Sequence, residues 1–260
     1  MKSAGLLVGI NYVNDGSSRL RGCLNDVCNM QEYLHSTNII SKKDITILTD
    51  DRSAFVGCDI KDEPTGNAIV RELHELAMKS VYEDLDLAWF HYSGHGSQLV
   101  CDYADENDGK DECLVPSDYK YRGVVRDDVL KRILRKFNPK TRVICILDCC
   151  HSGTGTDLKY RFKSMNNFTI ENRSDPCDAK IVTISGCRDD QTSADAYNVG
   201  GMRKFTGAMT SCLLLSLKKN HKQNIFELVD NLTTLLIQKG FTQRPQLTAS
   251  HDIRIDPTFI

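Results

Sequence analysis

The chain has 260 residues, 40% of them hydrophobic, and a formal net charge of -2 from 33 basic and 35 acidic side chains. That is enough apolar material for one substantial core, and the near balance of charge supplies no global field directing the protein to nucleic acid or to an anionic membrane. No run of eighteen apolar residues occurs, and the apolar stretch near Met1 is too short and lacks a small-residue cleavage site, so neither a membrane span nor a signal peptide is read and a cytoplasmic protein is expected.

In chain order, strands are predicted over 4–10, 44–49, 86–92, 142–148 and 180–185. Helices are predicted over 25–37, 65–81, 125–136, 206–219 and 224–239. Strand and helix alternate, which argues for an α/β fold with a mostly parallel sheet covered on both faces and functional groups on the loops that follow the strands. Between 152 and 179 the pattern lapses into a polar, basic stretch with weak periodicity. Residues 159–179 are therefore read as an exposed linker between a larger part, 1–158, and a smaller part, 180–260, of a single 1–260 domain. Eleven cysteines are present, and Cys145, Cys149, Cys187 and Cys212 sit inside apolar patterns where a reduced thiol acts as a small hydrophobe. A disulfide scaffold is not expected, and the sequons at Asn167, Asn172 and Asn231 are chance matches in an unsecreted chain.

Two of the strands end in chemically loaded loops. Ala88–Phe90 runs into His91-Tyr92-Ser93-Gly94-His95-Gly96, and Val143–Leu147 runs into Asp148-Cys149-Cys150-His151-Ser152-Gly153. A cysteine nucleophile needs a base or a positive environment to raise its thiolate fraction, and a histidine at the end of a neighbouring strand supplies both. Cys150 and His95 meet that requirement, with Gly94 and Gly96 permitting unusual backbone geometry around the histidine and Gly153 leaving room for a substrate chain. The histidine precedes the cysteine by 55 residues, close to the spacing of caspases. A zinc site built from Cys149, Cys150 and His151 is disfavoured, because adjacent ligands close a tetrahedron poorly and no Cys-x-x-Cys accompanies them.

Tyr92-Ser93-Gly94-His95-Gly96 and Asp148-Cys149-Cys150-His151-Ser152-Gly153 resemble the two catalytic signatures of the metacaspases. The resemblance extends to Gly9-Ile10-Asn11-Tyr12, to Leu20–Asp26 and to Ser185–Asp195, so it spans nearly the whole chain. It implies a caspase-like fold and a cysteine endopeptidase with a Cys-His dyad, in which Cys150 is the nucleophile and His95 its partner, while Cys149 turns into the sheet as strand alternation also requires. The backbone N–H groups of Cys150 and Gly96 would form the oxyanion hole. Asp26, Ser93 and Asp148 match positions of the family's primary pocket, which implies protein or peptide substrates cut after Arg or Lys. The chain starts almost directly at its first strand, without the Pro- or Gln-rich prodomain of many relatives, and lacks a long insert between its two parts. Its arrangement is type I-like, and monomeric action is the family expectation.

The densest acidic stretch, Asp102–Glu112, invites an EF-hand reading that its spacing rejects: with Gly109 at the invariant glycine, the first and last ligands would be Ala104 and Val115. By resemblance, Asp111, Asp127, Asp128 and Asp157 match the four aspartates with which metacaspases bind activating calcium, which would order loops around the dyad. The basic residues Lys159, Arg161, Lys163, Arg173 and Lys180 suit self-cleavage of a zymogen by an enzyme of basic specificity. The rival reading is a catalytically silent, calcium-binding scaffold of the same fold, against which the intact His95 and Cys150 count.

Overall fold

The computed structural model describes residues 1–51, 60–100, 110–149, 156, 158–171, 177–186, 195–197 and 205–260. Nine strands form the main sheet. Six of them are parallel: β1 (Ser3–Gly9), β2 (Ile45–Thr49), β3 (Ile60–Asp62), β4 (Leu87–Ser93), β8 (Arg142–Asp148) and β11 (Lys180–Ser185), in the order β3-β2-β1-β4-β8-β11. Beyond β11 the sheet continues antiparallel through β14 (Gln246–Ala249), β9 (Tyr160–Ser164) and β10 (Asn167–Ile170). The chain moves outward from β1 to β2 and β3, then returns to lay β4 on the other side of β1.

Alternation along the central strands divides the core into two. Leu7, Trp89, Ile144 and Ile146 face α1 (Cys23–Ser36), α5 (Ala208–Lys219) and α6 (Ile225–Gln238), packing with Val27, Met30, Leu213 and Leu228. Leu6, Val8, Phe90, Val143 and Leu147 face α2 (Gly66–Tyr82) and α4 (Asp127–Leu134), packing with Ile69, Leu73, Leu130 and Ile133. Helices thus cover both faces, as near-continuous apolar strands demand. Local signals agree with the helix limits: Thr65 accepts Ala68 N–H at the start of α2, and Asn224 with Glu227 forms a capping box at the start of α6.

Two expectations require correction. The segment 159–179 is not simply an exposed linker, since β9 and β10 form a hairpin in its middle and β9 pairs with β14. Tyr160 and Phe162 alternate with Arg161 and Lys163, and this alternation is the strand signal that the basic residues disguise. Phe162 is buried and stacks on Phe168 with ring centroids 5.6 Å apart. The helix expected over 125–136 begins at Asp127, because Val125–Arg126 is β7, an edge of a small sheet with β5 (Gly96–Val100) and β6 (Lys110–Leu114). The short helix α3 (Tyr119–Arg122) and the strand pair β12 (Asp195–Tyr197) and β13 (Phe205–Gly207) complete the described elements.

Candidate active site

In an open parallel sheet, loops diverge where the strand order reverses, and ligands bind at the carboxyl ends of the strands there. Here the reversal lies between β1 and β4, because β1 leads to β2 on one side and is flanked by β4 on the other. The β4–β8 register sets Ser93 beside Asp148, so His95 and Cys150 each follow two residues beyond paired strand ends. Cys150 lies outside the described residues, as do His151 and Gly153. Cys149 is buried in the core on the α2 and α4 side, with Leu147. Burial pushes the Cys145 thiol up to about 12 and the Cys212 thiol up to about 11, so both stay protonated and inert.

His95 is half-buried and firmly held. Its Nε2 lies 2.7 Å from the carbonyl oxygen of Ser18. A carbonyl only accepts, so in the neutral ring Nε2 carries the proton and Nδ1 keeps the lone pair. The ring of Tyr12 lies against the imidazole with centroids 4.7 Å apart. Gly94 and Gly96 do not take a left-handed backbone, contrary to the role expected for them. Gly94 is instead required by close approach, because a Cβ there would stand 2.8 Å from Tyr92 Oη. Gly96 opens β5 opposite Leu114.

The three expected pocket residues come together. Asp26 lies in the first turn of α1 and is fully buried, Asp148 ends β8, and Ser93 ends β4. Ser93 Oγ donates to Asp26 Oδ2 at 2.7 Å. Both carboxylates converge on the amino end of α5: Gly207 N–H donates to Asp26 Oδ2 at 2.8 Å, and Thr210 N–H donates to Asp148 Oδ2 at 2.8 Å. Unsatisfied N–H groups and the helix dipole make that end a natural seat for anionic groups. A Cβ on Gly207 would collide with Asp148 Oδ2 and come within 2.6 Å of Asp26 Oδ2, so only glycine lets the chain pass this close. On the same face of β4, two residues before Ser93, His91 is wholly buried with Nε2 3.2 Å from Thr210 Oγ1. Burial lowers its pKa to about 3, so it is neutral and adds no positive charge beneath the carboxylates.

The proposed calcium ligands are only partly in view. Asp127 is buried at the amino end of α4, where Oδ2 accepts Glu112 N–H at 2.9 Å and Oδ1 accepts Asp128 N–H at 2.8 Å. Asp128 is exposed; the side chain of Asp111 and all of Asp157 lie outside the described residues. Among the described residues no group of three or more His, Cys, Asp or Glu side chains is gathered around one point. An all-carboxylate oxygen set nevertheless has the hard-donor chemistry that calcium takes. Of the basic residues considered for self-cleavage, Arg161 and Lys163 lie in β9, and Lys180 opens β11, where it pairs with Arg142 of β8. Lys159 accepts Glu171 N–H at the base of the hairpin, and Arg173 lies outside the described residues.

Tyr12, Ser18, Gly207, Thr210 and His91 were not assigned roles from the sequence. Tyr12 belongs to the Gly9-Ile10-Asn11-Tyr12 motif, a usable signal; the others carry none, because their partners are remote along the chain.

Comparisons with known proteins agree with this architecture. Residues 3–159 match the family model described as "Metacaspase, peptidase C14 domain". The chain is 32% identical to Metacaspase-1 of Sclerotinia sclerotiorum, over 98% of this chain and 67% of that protein, and 32% identical to Metacaspase-1 of Botryotinia fuckeliana, over 100% and 70%. Among solved structures, caspase-1 of Spodoptera frugiperda superposes with a TM-score of 0.60 over 96% of this chain and 86% of its own, at 12% identity, which speaks to the fold alone. The family match over residues 3–159, together with relatives 32% identical over nearly the whole chain, establishes that this protein belongs to the metacaspases, cysteine-type endopeptidases that act on proteins.

Proposed function

We propose that this peptidase cleaves peptide bonds after Arg or Lys, using Cys150 as nucleophile and His95 as acid and base, and that calcium activates it. One observation carries the specificity: Asp26, Ser93 and Asp148, from three elements, converge beside the strand ends that lead to His95 and Cys150. Two buried carboxylates in one pocket suit a guanidinium or ammonium group, whose charge offsets theirs. The opposite preference, for an acidic side chain, would place like charges together at a cost of several kcal/mol.

With Nε2–H donating to Ser18, the proton leaving the Cys150 thiol would go to His95 Nδ1. The thiolate adds to the scissile carbonyl, and the oxyanion takes N–H bonds from Cys150 and Gly96. Collapse expels the amine, which receives the proton from Nδ1, and leaves a thioester. Water, deprotonated by the same imidazole, hydrolyses it and restores the thiol. Asp111, Asp127, Asp128 and Asp157 would hold calcium, whose charge would draw together carboxylates that otherwise repel. Self-cleavage in this reading falls on a basic residue of the stretch, Lys159, Arg161, Lys163, Arg173 or Lys180, of which Arg161 and Lys163 lie in β9 and Lys180 in β11. The enzyme acts as a monomer in the cytoplasm; no helix among the described residues is long and apolar enough to cross a membrane, and the seven described cysteines form no disulfide.

Turnover of an Arg-terminated fluorogenic peptide tests the reading, with and without calcium, in the wild type and in Cys150→Ala. Hydrolysis is expected only with calcium, and its loss in the variant. Equal rates with a chelator present would remove calcium from the account, and activity retained by the variant would remove Cys150.

A further inference from the structure

The described structure shows what holds His95 in place. Tyr12 lies just beyond β1, buried, in the left-handed region with φ of 52°, a conformation unusual for a bulky residue. Such strain persists only where the surroundings over-determine it, and it gathers at functional sites. The phenol makes four contacts around the histidine loop. Its Oη accepts the backbone N–H of His95 at 2.9 Å, donates to the carbonyl oxygen of Val115 at 2.6 Å, and lies 3.4 Å from Tyr92 Oη. Its ring covers the imidazole, tilted by 35°. Tyr92 Oη lies 2.8 Å from the His95 carbonyl, so a pair of tyrosines engages the two peptide groups that flank the histidine. Gly94 leaves the room for them, since a Cβ there would stand 3.2 Å from Tyr12 Oη as well as close to Tyr92.

The far side of Tyr12 is also occupied. Tyr119 meets it edge-on with ring centroids 6.3 Å apart, and the Tyr119 hydroxyl lies 3.0 Å from Ser18 Oγ. Ser18 is the residue whose carbonyl takes His95 Nε2. Tyr12 is therefore packed between the imidazole and Tyr119, whose hydroxyl reaches the same residue that takes the imidazole's proton.

We propose that Tyr12 is a positioning residue for His95: its ring fixes the tilt of the imidazole while its hydroxyl fixes the peptide that carries it, leaving Nδ1 as the working edge. The proposal rests on the reading of His95 as acid and base. Burial holds the Tyr12 phenol far above its ordinary pKa, so it remains a neutral donor wherever the enzyme works, and any change in pH profile in its variants reports on another group.

Because misplacement of a catalytic group by about 1 Å can cost about 10²-fold in rate, the effect should fall on turnover rather than binding. The test measures kcat, KM and the pH profile of kcat/KM for the calcium-supplied full chain as wild type, Tyr12→Phe, Tyr12→Leu and His95→Ala. Near-UV circular dichroism verifies folding, and the rate of iodoacetamide alkylation at Cys150 gives a second readout independent of turnover. Tyr12→Phe keeps the ring and should lose about 3-fold to 10-fold in kcat, with KM within about twofold; Tyr12→Leu should lose about 10²-fold, displace the acidic limb of the profile and slow alkylation. A folded Tyr12→Leu with wild-type kcat, profile and alkylation rate, beside an impaired His95→Ala, overturns the proposal while leaving the dyad intact. An unimpaired His95→Ala overturns the dyad, and the proposal with it. If Tyr12→Leu does not fold, Tyr12→Phe decides alone: unchanged kcat and profile contradict the proposal.

Discussion

Two sets of aspartates stand in contrast. Asp26 and Asp148 come from α1 and β8, far apart in sequence, yet meet at the amino end of α5 with Ser93, Gly207 and Thr210 supplying hydrogen bonds. Asp127 and Asp128 are chain neighbours, yet one is buried in backbone hydrogen bonds and the other is exposed. The first set is organised by main-chain N–H groups and needs no ion to bring it together. The second is organised as a helix start, and Asp127 already spends both oxygens on backbone donors. Under the proposed function the two sets would divide the labour: Asp26, Ser93 and Asp148, held together by the fold itself, would recognise the side chain, and Asp127 and Asp128, with Asp111 and Asp157, would serve a conditional activation.

The strongest way to break this contrast is at the pocket. Asp148→Asn keeps the shape and an oxygen acceptor but removes one of the two charges proposed to face the substrate. Losing one partner of a buried charge pair costs about 2–5 kcal/mol, so kcat/KM for Arg peptides should fall about 30-fold to about 4 × 10³-fold with the calcium requirement unchanged. Loss of less than threefold would show that the carboxylate is not a specificity element. A smaller effect should come from the other set. Asp128→Asn removes an exposed carboxylate and should raise the calcium concentration for half-maximal activity by about 10-fold, with the ranking of Arg, Lys and neutral peptides unaltered. A calcium titration that superposes on the wild type would take Asp128 out of the ion site.

The legibility of the fold followed the strength of local pattern. β1, β4, β8 and β11 are apolar runs buried on both faces and were placed to within a residue or two. The β9–β10 hairpin escaped because Arg161 and Lys163 interleave with Tyr160 and Phe162, and charge hid the period of two. The small sheet of β5, β6 and β7 escaped because Ser97, Gln98 and Asp111 carry no strand preference, and its pairing is fixed by tertiary contact. At the candidate site, His95 and Cys150 stand out in the sequence by their chemistry beyond two strand ends, and the proposed dyad rests on that. Gly207 does not stand out, since its partner Asp26 lies 181 residues away and a lone glycine in sequence does not say what approaches it. Tyr12 likewise meets His95 across 83 residues, and only the fold shows that its ring covers the imidazole.

The central claim is that the paired carboxylates of Asp26 and Asp148 select a positive side chain. It is tested most directly by kcat/KM on two peptides identical except for Arg or citrulline before the scissile bond, because citrulline keeps the length and most of the hydrogen-bonding shape of arginine while losing its charge. The account predicts a preference for Arg of about 10²-fold or more, reduced towards parity in Asp148→Asn. Equal cleavage of the two peptides by the wild-type enzyme would contradict it.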